Sequence, residues 1–187
     1  EEALRSVVLF LWLMTKGCQK KGWDNIMEEN SYFAFAERDY RFFLRVRETG
    51  TEGGTLAALG QNICERYLKH IVELYAKPED ELGTLEKESV LHTHSLHRLI
   101  RYLKEKMGLK IPEHTEECPK KIDVFFTATM EPGDNSFFPS EEDIEDAWEA
   151  VLQTKGVVED AIWTMECIYG QRKRSCIDTA PFFLHLR

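Results

Sequence analysis

Apolar residues recur three and four positions apart over most of this chain, and that spacing restricts the fold more than any other feature. From Thr55 to Tyr75, Leu56, Leu59, Ile63, Tyr67, Ile71 and Leu74 make a stripe close to a heptad. Such a stripe lines one side of an α-helix and does not suit a strand, whose faces alternate every two residues. A helix over this span is about 30 Å long at about 1.5 Å per residue. It must bury its stripe against neighbours of the same kind.

Those neighbours are legible on either side. In "SYFAFAERDYRFFLRVRETG", Phe33, Ala36, Tyr40, Phe43 and Leu44 share a face while Glu37, Arg38, Arg41 and Arg45 fall on others. Ser31 is the expected cap and Gly50 the expected stop. The linker "TGTEGG" and the stretch "KPEDELG", with Pro78 and Gly83, read as breaks. A shorter helix is expected from about Thr93 to Met107, carrying Leu96, Leu99, Ile100 and Leu103 and closed by Gly108 and Pro112. The segment from Glu113 to Pro139 is the least regular, and "KIDVFFTATM" reads as a strand or an extended buried loop. "SEEDIEDAWEAVLQTKGVVEDAIWTM" then starts a helix at a Ser140 cap, with acids in the first turn and Gly156 as a point of bending.

Long amphipathic helices with short joins predict an all-α fold, an antiparallel up-and-down helical bundle. The expected organisation is an N-terminal helix or extension over residues 1–29, the bundle over 30–170, and a C-terminal tail over 171–187. The run "VVLFLWLM" has eight consecutive apolar residues, against roughly 20 for a membrane span. It lacks the basic start and small-residue cleavage site of a signal peptide, so it reads as a buried segment. Five scattered cysteines without a Cys-x-x-Cys pair point to reduced thiols and a cytoplasmic protein. The net charge of −9 means that any phosphate-bearing ligand needs a local basic site.

Known chemical motifs are few. His92, His94 and His97 cluster in "LHTHSLHRL", but no HExxH or Cys/His ribbon accompanies them, and no metal or cofactor is expected. Cys64 and Cys167 fall within helical apolar patterns, where cysteine acts as a small hydrophobe. "SEEDIEDAWE" suits the positive end of a helix and reads as a solvated face. Glu65 and Lys69 are spaced i, i+4, a surface pair worth about 0.2 to 0.5 kcal/mol. Arg66 and His70 lie one turn apart, and Arg98, Arg101 and Lys104 decorate the shorter helix. Packed side by side, the two helices would join these residues in a basic strip.

Four segments in order, "AERDYRFF", "GQNICERYLKHIVELY", "HTHSLHRLIRYL" and "EPGDNSFFPSEEDIEDAWEAV", resemble the successive parts of HEPN domains, the higher eukaryotes and prokaryotes nucleotide-binding family. The resemblance spans roughly Ser31 to Tyr169. It implies a four-helix-bundle-like domain, often a homodimer, whose members bind nucleotides, partner minimal nucleotidyltransferases in toxin-antitoxin operons, or cleave RNA without metal. The ribonucleases of the family resemble one another in an Arg separated from a His by four to six residues. That motif is missing here: Lys87 stands at the right distance before His92 and His94, and Arg66 is one position too close to His70. Lysine does not replace the forked guanidinium at a phosphate. No catalytic residue is therefore assigned. The expected function is a non-catalytic domain that binds a nucleotide or RNA segment through Arg66, Lys69, His94 and Arg98. The alternatives are a dimeric protein-interaction module, such as a nucleotidyltransferase partner, and a ribonuclease with a variant site.

Overall fold

The computed structural model describes residues 30–50, 53–126 and 138–178. Six helices are found among the described residues: α1 (Tyr32–Glu48), α2 (Gly54–Tyr75), α3 (Glu81–Leu91), α4 (Leu96–Glu105), α5 (Glu113–Lys121) and α6 (Glu141–Asp178). No strand occurs among those residues. The chain is all-α there, and no described helix is long and apolar enough to cross a membrane. The amino-terminal apolar run and "APFFLHLR" lie outside the described residues.

Local chemistry sets the helix ends. The Ser31 hydroxyl accepts from the Ala34 amide at 3.1 Å, and α1 ends where Gly50 takes a φ of 65°, a left-handed conformation open to glycine. Asp80 caps α3 by accepting from the Gly83 amide at 2.7 Å. Ser140 and Asp143 cap α6 reciprocally: the Ser140 hydroxyl accepts from the Asp143 amide at 3.3 Å, and the Asp143 carboxylate accepts from the Ser140 amide at 2.7 Å. The α2 carboxyl end has no such local cap. Instead Lys87 Nζ reaches back from α3 to the carbonyls of Glu73 and Ala76, each at 2.9 Å, placing a cation at the negative end of the helix dipole.

The central helix is α2, which packs along α6 and α1 and also meets α3 and α4. Its burial is wider than the sequence stripe: Ala57, Ala58, Gly60, Cys64, Leu68 and Val72 are buried along with Ile63, Tyr67 and Ile71. The seam against α6 is made of small residues. A Cβ at Gly60 would lie 2.8 Å from the Ala147 Cβ and 3.3 Å from the Phe43 ring, so the backbones approach closely there. Beside it, Trp148 of α6 stacks on Tyr40 and Phe43 of α1 with ring centroids 5.9 and 5.7 Å apart. The Arg47 guanidinium lies 4.7 Å from the Trp148 ring centroid. These contacts lock α1, α2 and α6 around one core.

Several elements differ from the sequence expectations. Helix α3 occupies Glu81–Leu91, where a loop and then no element were expected. Gly83 sits inside its first turn. The expected Thr93–Met107 helix begins only at Leu96. Helix α5 forms in the segment expected to be irregular, with Pro119 inside its last turn. The start of "KIDVFFTATM" is not a strand: Lys121 closes α5, residues 122–124 turn, and Phe125 and Phe126 are helical, with Ile122 and Phe125 buried. Helix α6 continues through Gly156 and crosses the expected boundary at residue 170.

Candidate functional site

The four residues singled out from the sequence separate into three places. Lys69 and His94 meet at Glu65. Lys69 Nζ donates to Glu65 Oε1 at 2.6 Å, and His94 Nδ1 stands 3.1 Å from Glu65 Oε2. The Glu65 and Lys69 side chains are only 9% and 6% exposed, so the expected surface pair is a buried one. Carboxylate oxygens accept, so His94 Nδ1 is the donor in this contact. The imidazole also stacks on the Phe126 ring at 5.6 Å.

Beneath this group, Gln61 and Asp123 hold the surrounding backbone. Gln61 Nε2 donates to the His94 and Asp123 carbonyls at 3.2 and 2.9 Å, and its Oε1 accepts from the Phe126 amide at 2.7 Å. The Asp123 carboxylate accepts from the Ser95 hydroxyl at 2.8 Å and from the amides of Leu96 and His97. These are free amides of the first turn of α4, met by an anion. The network explains why a buried polar glutamine sits on the central helix. Its role is to fix the α4 start against α2.

Arg66 lies elsewhere. It pairs with Asp39 of α1, and burial with the nearby Arg38 holds its guanidinium below the ordinary arginine range. Arg98 donates to the hydroxyls of Ser89 and Thr93 at 3.2 and 3.5 Å, at the groove between α3 and α4. In the expected basic strip, Arg66 pairs with Asp39, His70 is buried and Lys104 pairs with Glu116. Of the four candidate binding residues, Arg66, Lys69 and His94 contact carboxylates and Arg98 contacts hydroxyls.

The residues considered for a variant ribonuclease are also committed. His70 is 0% exposed, neither ring nitrogen has a partner among the described residues, and burial lowers its pKa to about 4. It is a neutral core ring beside Phe33, with centroids 5.3 Å apart. Lys87 is held at the α2 carboxyl end. His92 Nδ1 lies 2.7 Å from the Glu88 carbonyl. Cys64 is fully buried, which pushes its thiol up to about 12 and makes it inert as a nucleophile. Among the described residues, no group of three or more His, Cys, Asp or Glu side chains is arranged to hold a metal.

Two arrangements were missed in the sequence. The first is a clasp of α1, α2 and α6, in which the Tyr67 hydroxyl donates to Glu37 at 2.6 Å and Lys155 Nζ pairs with the same carboxylate. Lys155 Nζ lies 5.1 Å from the Tyr40 ring centroid and 5.3 Å from that of Tyr67. Burial, and then Glu37, raise the Tyr67 pKa.

The second arrangement is the outer face of α1. Arg38, Arg41, Phe42 and Arg45 follow the i, i+3, i+4, i+7 spacing of a single helix face, and all four are exposed. Arg41 and Arg45 make no ion pair among the described residues, and Arg38 has only a 3.9 Å approach to Asp39. The guanidinium of Arg38 stacks 4.5 Å from the Phe35 ring centroid, and that of Arg66 lies 5.9 Å from the same ring. Arg66 thus extends this face. The arginine spacing is visible in the sequence, where Arg38, Arg41 and Arg45 fall off the apolar face of the helix. Comparison of the chain with known families, curated proteins and solved structures finds no match.

Proposed function

We propose that the chain is a non-catalytic helical domain, of the HEPN-like antiparallel bundle kind, that binds a segment of single-stranded RNA along the outer face of α1. The observation that carries this reading is the exposed Arg38, Arg41, Phe42 and Arg45 face, in which Arg41 and Arg45 make no ion pair among the described residues, on a chain of net charge −9. Arginine supplies planar, forked donors for phosphate, and exposed aromatic rings supply stacking platforms for unpaired bases. From Arg38 to Arg45 the helix rises about 10 Å, a span suited to successive phosphates of an extended strand. Turnover is not assigned, because His70 is sealed in the core and Arg66 and Lys87 are held in other contacts.

Fluorescence anisotropy with a labelled 12-nucleotide RNA tests this reading across a salt series. Three phosphate contacts predict a log–log salt slope near about −2, from about −0.7 per contact for single strands. The Arg41→Glu/Arg45→Glu variant should lose binding, whereas a charge reversal at Glu117, exposed on α5, should not reduce it. Salt-independent binding, or full affinity in the double variant, rejects α1 as the interface. Cleavage of the RNA by the wild-type protein rejects the non-catalytic assignment.

A further inference from the structure

A different surface, between α3 and α4, has the form of a docking groove. Two adjoining cavities of about 600 and 540 Å³ have Leu82, Glu86, Tyr102 and Lys106 in both linings and together make up this trough. Leu82 and Leu85, one turn apart on α3, are 66% and 57% exposed on its wall. Toward the α2 end the lining includes Tyr75, Met107 and Met165 together with Lys77 and Asp80. The two methionines make that end adaptable, because methionine repacks easily around different partners.

The charges on the trough favour one kind of occupant. Glu86 is matched by Lys106 at 2.8 Å, so these two offset each other. Arg98 bonds only neutral hydroxyls, and Arg101 makes no ion pair among the described residues. Against these two cations the α3–α4 end offers one further carboxylate, Glu105, while the other end adds one charge of each sign, Lys77 and Asp80. The α3–α4 groove therefore carries exposed apolar side chains, Leu82 and Leu85, beside a net positive end on a chain of net charge −9. A small ligand generally buries most of its surface in an enclosed site, whereas this groove is open to solvent and walled by exposed leucines.

We propose that the α3–α4 groove docks an amphipathic helix of a partner protein, with leucine-type anchors at i, i+3 and i+7 along Leu82, Leu85 and Tyr102 and acidic residues facing Arg98 and Arg101. Helix-in-groove recognition uses this combination of spaced apolar anchors and charged edges. It is independent of the α1 face.

The test uses a fluorescein-labelled 16-residue helical peptide carrying leucines at i, i+3 and i+7 with glutamates between them, and a twin with lysines in place of the glutamates. The expected result is saturable binding of the acidic peptide and binding of the twin weaker by about tenfold or more. The Leu82→Ser/Leu85→Ser and Arg98→Glu/Arg101→Glu variants should each lose about tenfold or more, while Arg41→Glu/Arg45→Glu should bind unchanged. All these substitutions are at exposed or groove-lining positions, and thermal melts of the variants confirm folding. Absent binding, equal binding of the twin, or indifference to the groove variants overturns the proposal. Sedimentation of the protein alone supplies a further outcome: a dimer that Leu82→Ser/Leu85→Ser disperses assigns the groove to a second copy and also overturns it.

Discussion

Acidification provides a direct probe of the His70 environment. The ring is 0% exposed, and burial takes its pKa from 6.5 to about 4. A lowered histidine pKa means that the folded state favours the neutral ring. The associated stability is fully present above the unfolded value of about 6.5 and is lost as pH falls through the folded value of about 4. The gap of about 2.5 pH units, at about 1.4 kcal/mol per unit, gives a loss of about 3 kcal/mol between neutral pH and pH about 4. Carboxylates add their own acid dependence; Glu116, for example, is held below its usual range by hydrogen bonds from Lys104 and Lys120. A His70→Leu comparison removes that common part. At neutral pH the variant should be as stable as the parent or more so, because it removes two buried nitrogens without partners, each costing about 1 to 3 kcal/mol. Urea unfolding followed by circular dichroism at three pH values should show the stability gap between variant and parent widening by about 3 kcal/mol on acidification. Parallel pH profiles for the two proteins, or an imidazole resonance titrating near 6.5 in the folded parent, would refute the reasoning.

Two further predictions concern packing and the buried ion pair. Gly60→Ala should destabilise by about 1 to 3 kcal/mol despite alanine's better helix propensity, because the new methyl lies 2.8 Å from the Ala147 Cβ; chemical denaturation measures it, and a stabilised variant would show that the α2–α6 seam has slack. Glu65→Leu leaves Lys69 buried and unpaired and should cost about 3 to 5 kcal/mol, whereas Glu65→Leu with Lys69→Met should recover most of that loss. Equal stability of the single and double variants would mean that the pair is solvated in solution.

The central helix and its partners were legible because Leu56, Ile63, Tyr67 and Ile71 repeat with the helical period. Caps such as Ser31 and Ser140 were legible because a hydroxyl three residues before a free amide is a local feature. Helix α3 was not, since its two leading leucines are exposed, Gly83 lowers its propensity, and only Val90 along it is fully buried. In α5, Pro119 and the polar run around it hid a helix whose support comes from packing on α6. The site was harder still. Spacing put Arg66, Lys69, His94 and Arg98 on helix faces and showed the Glu65–Lys69 pair but not its burial, while Asp39, which pairs with Arg66, and Glu65, which meets His94, lie 27 and 29 residues away from those partners. The Arg38, Arg41 and Arg45 face is written in α1's own spacing, but that Arg41 and Arg45 make no ion pair among the described residues depends on how the helices pack.

The clasp at Glu37 bears on the order of assembly. Its bond to Tyr67 spans 30 residues, whereas its pairing with Lys155 spans 118. Loop closure over the longer span is entropically dearer, so α1 and α2 have reason to associate first, with α6 docking afterwards. A contact made after the folding barrier slows escape from the native state without hastening arrival. Lys155→Met should accordingly raise the unfolding rate and leave the folding rate nearly unchanged, with a φ-value near about 0. A slowed folding limb would place α6 in the nucleus instead. On this account, the lysine held among Tyr40, Tyr67 and Glu37 acts as a latch: it sets how long the domain stays folded more than how fast it folds.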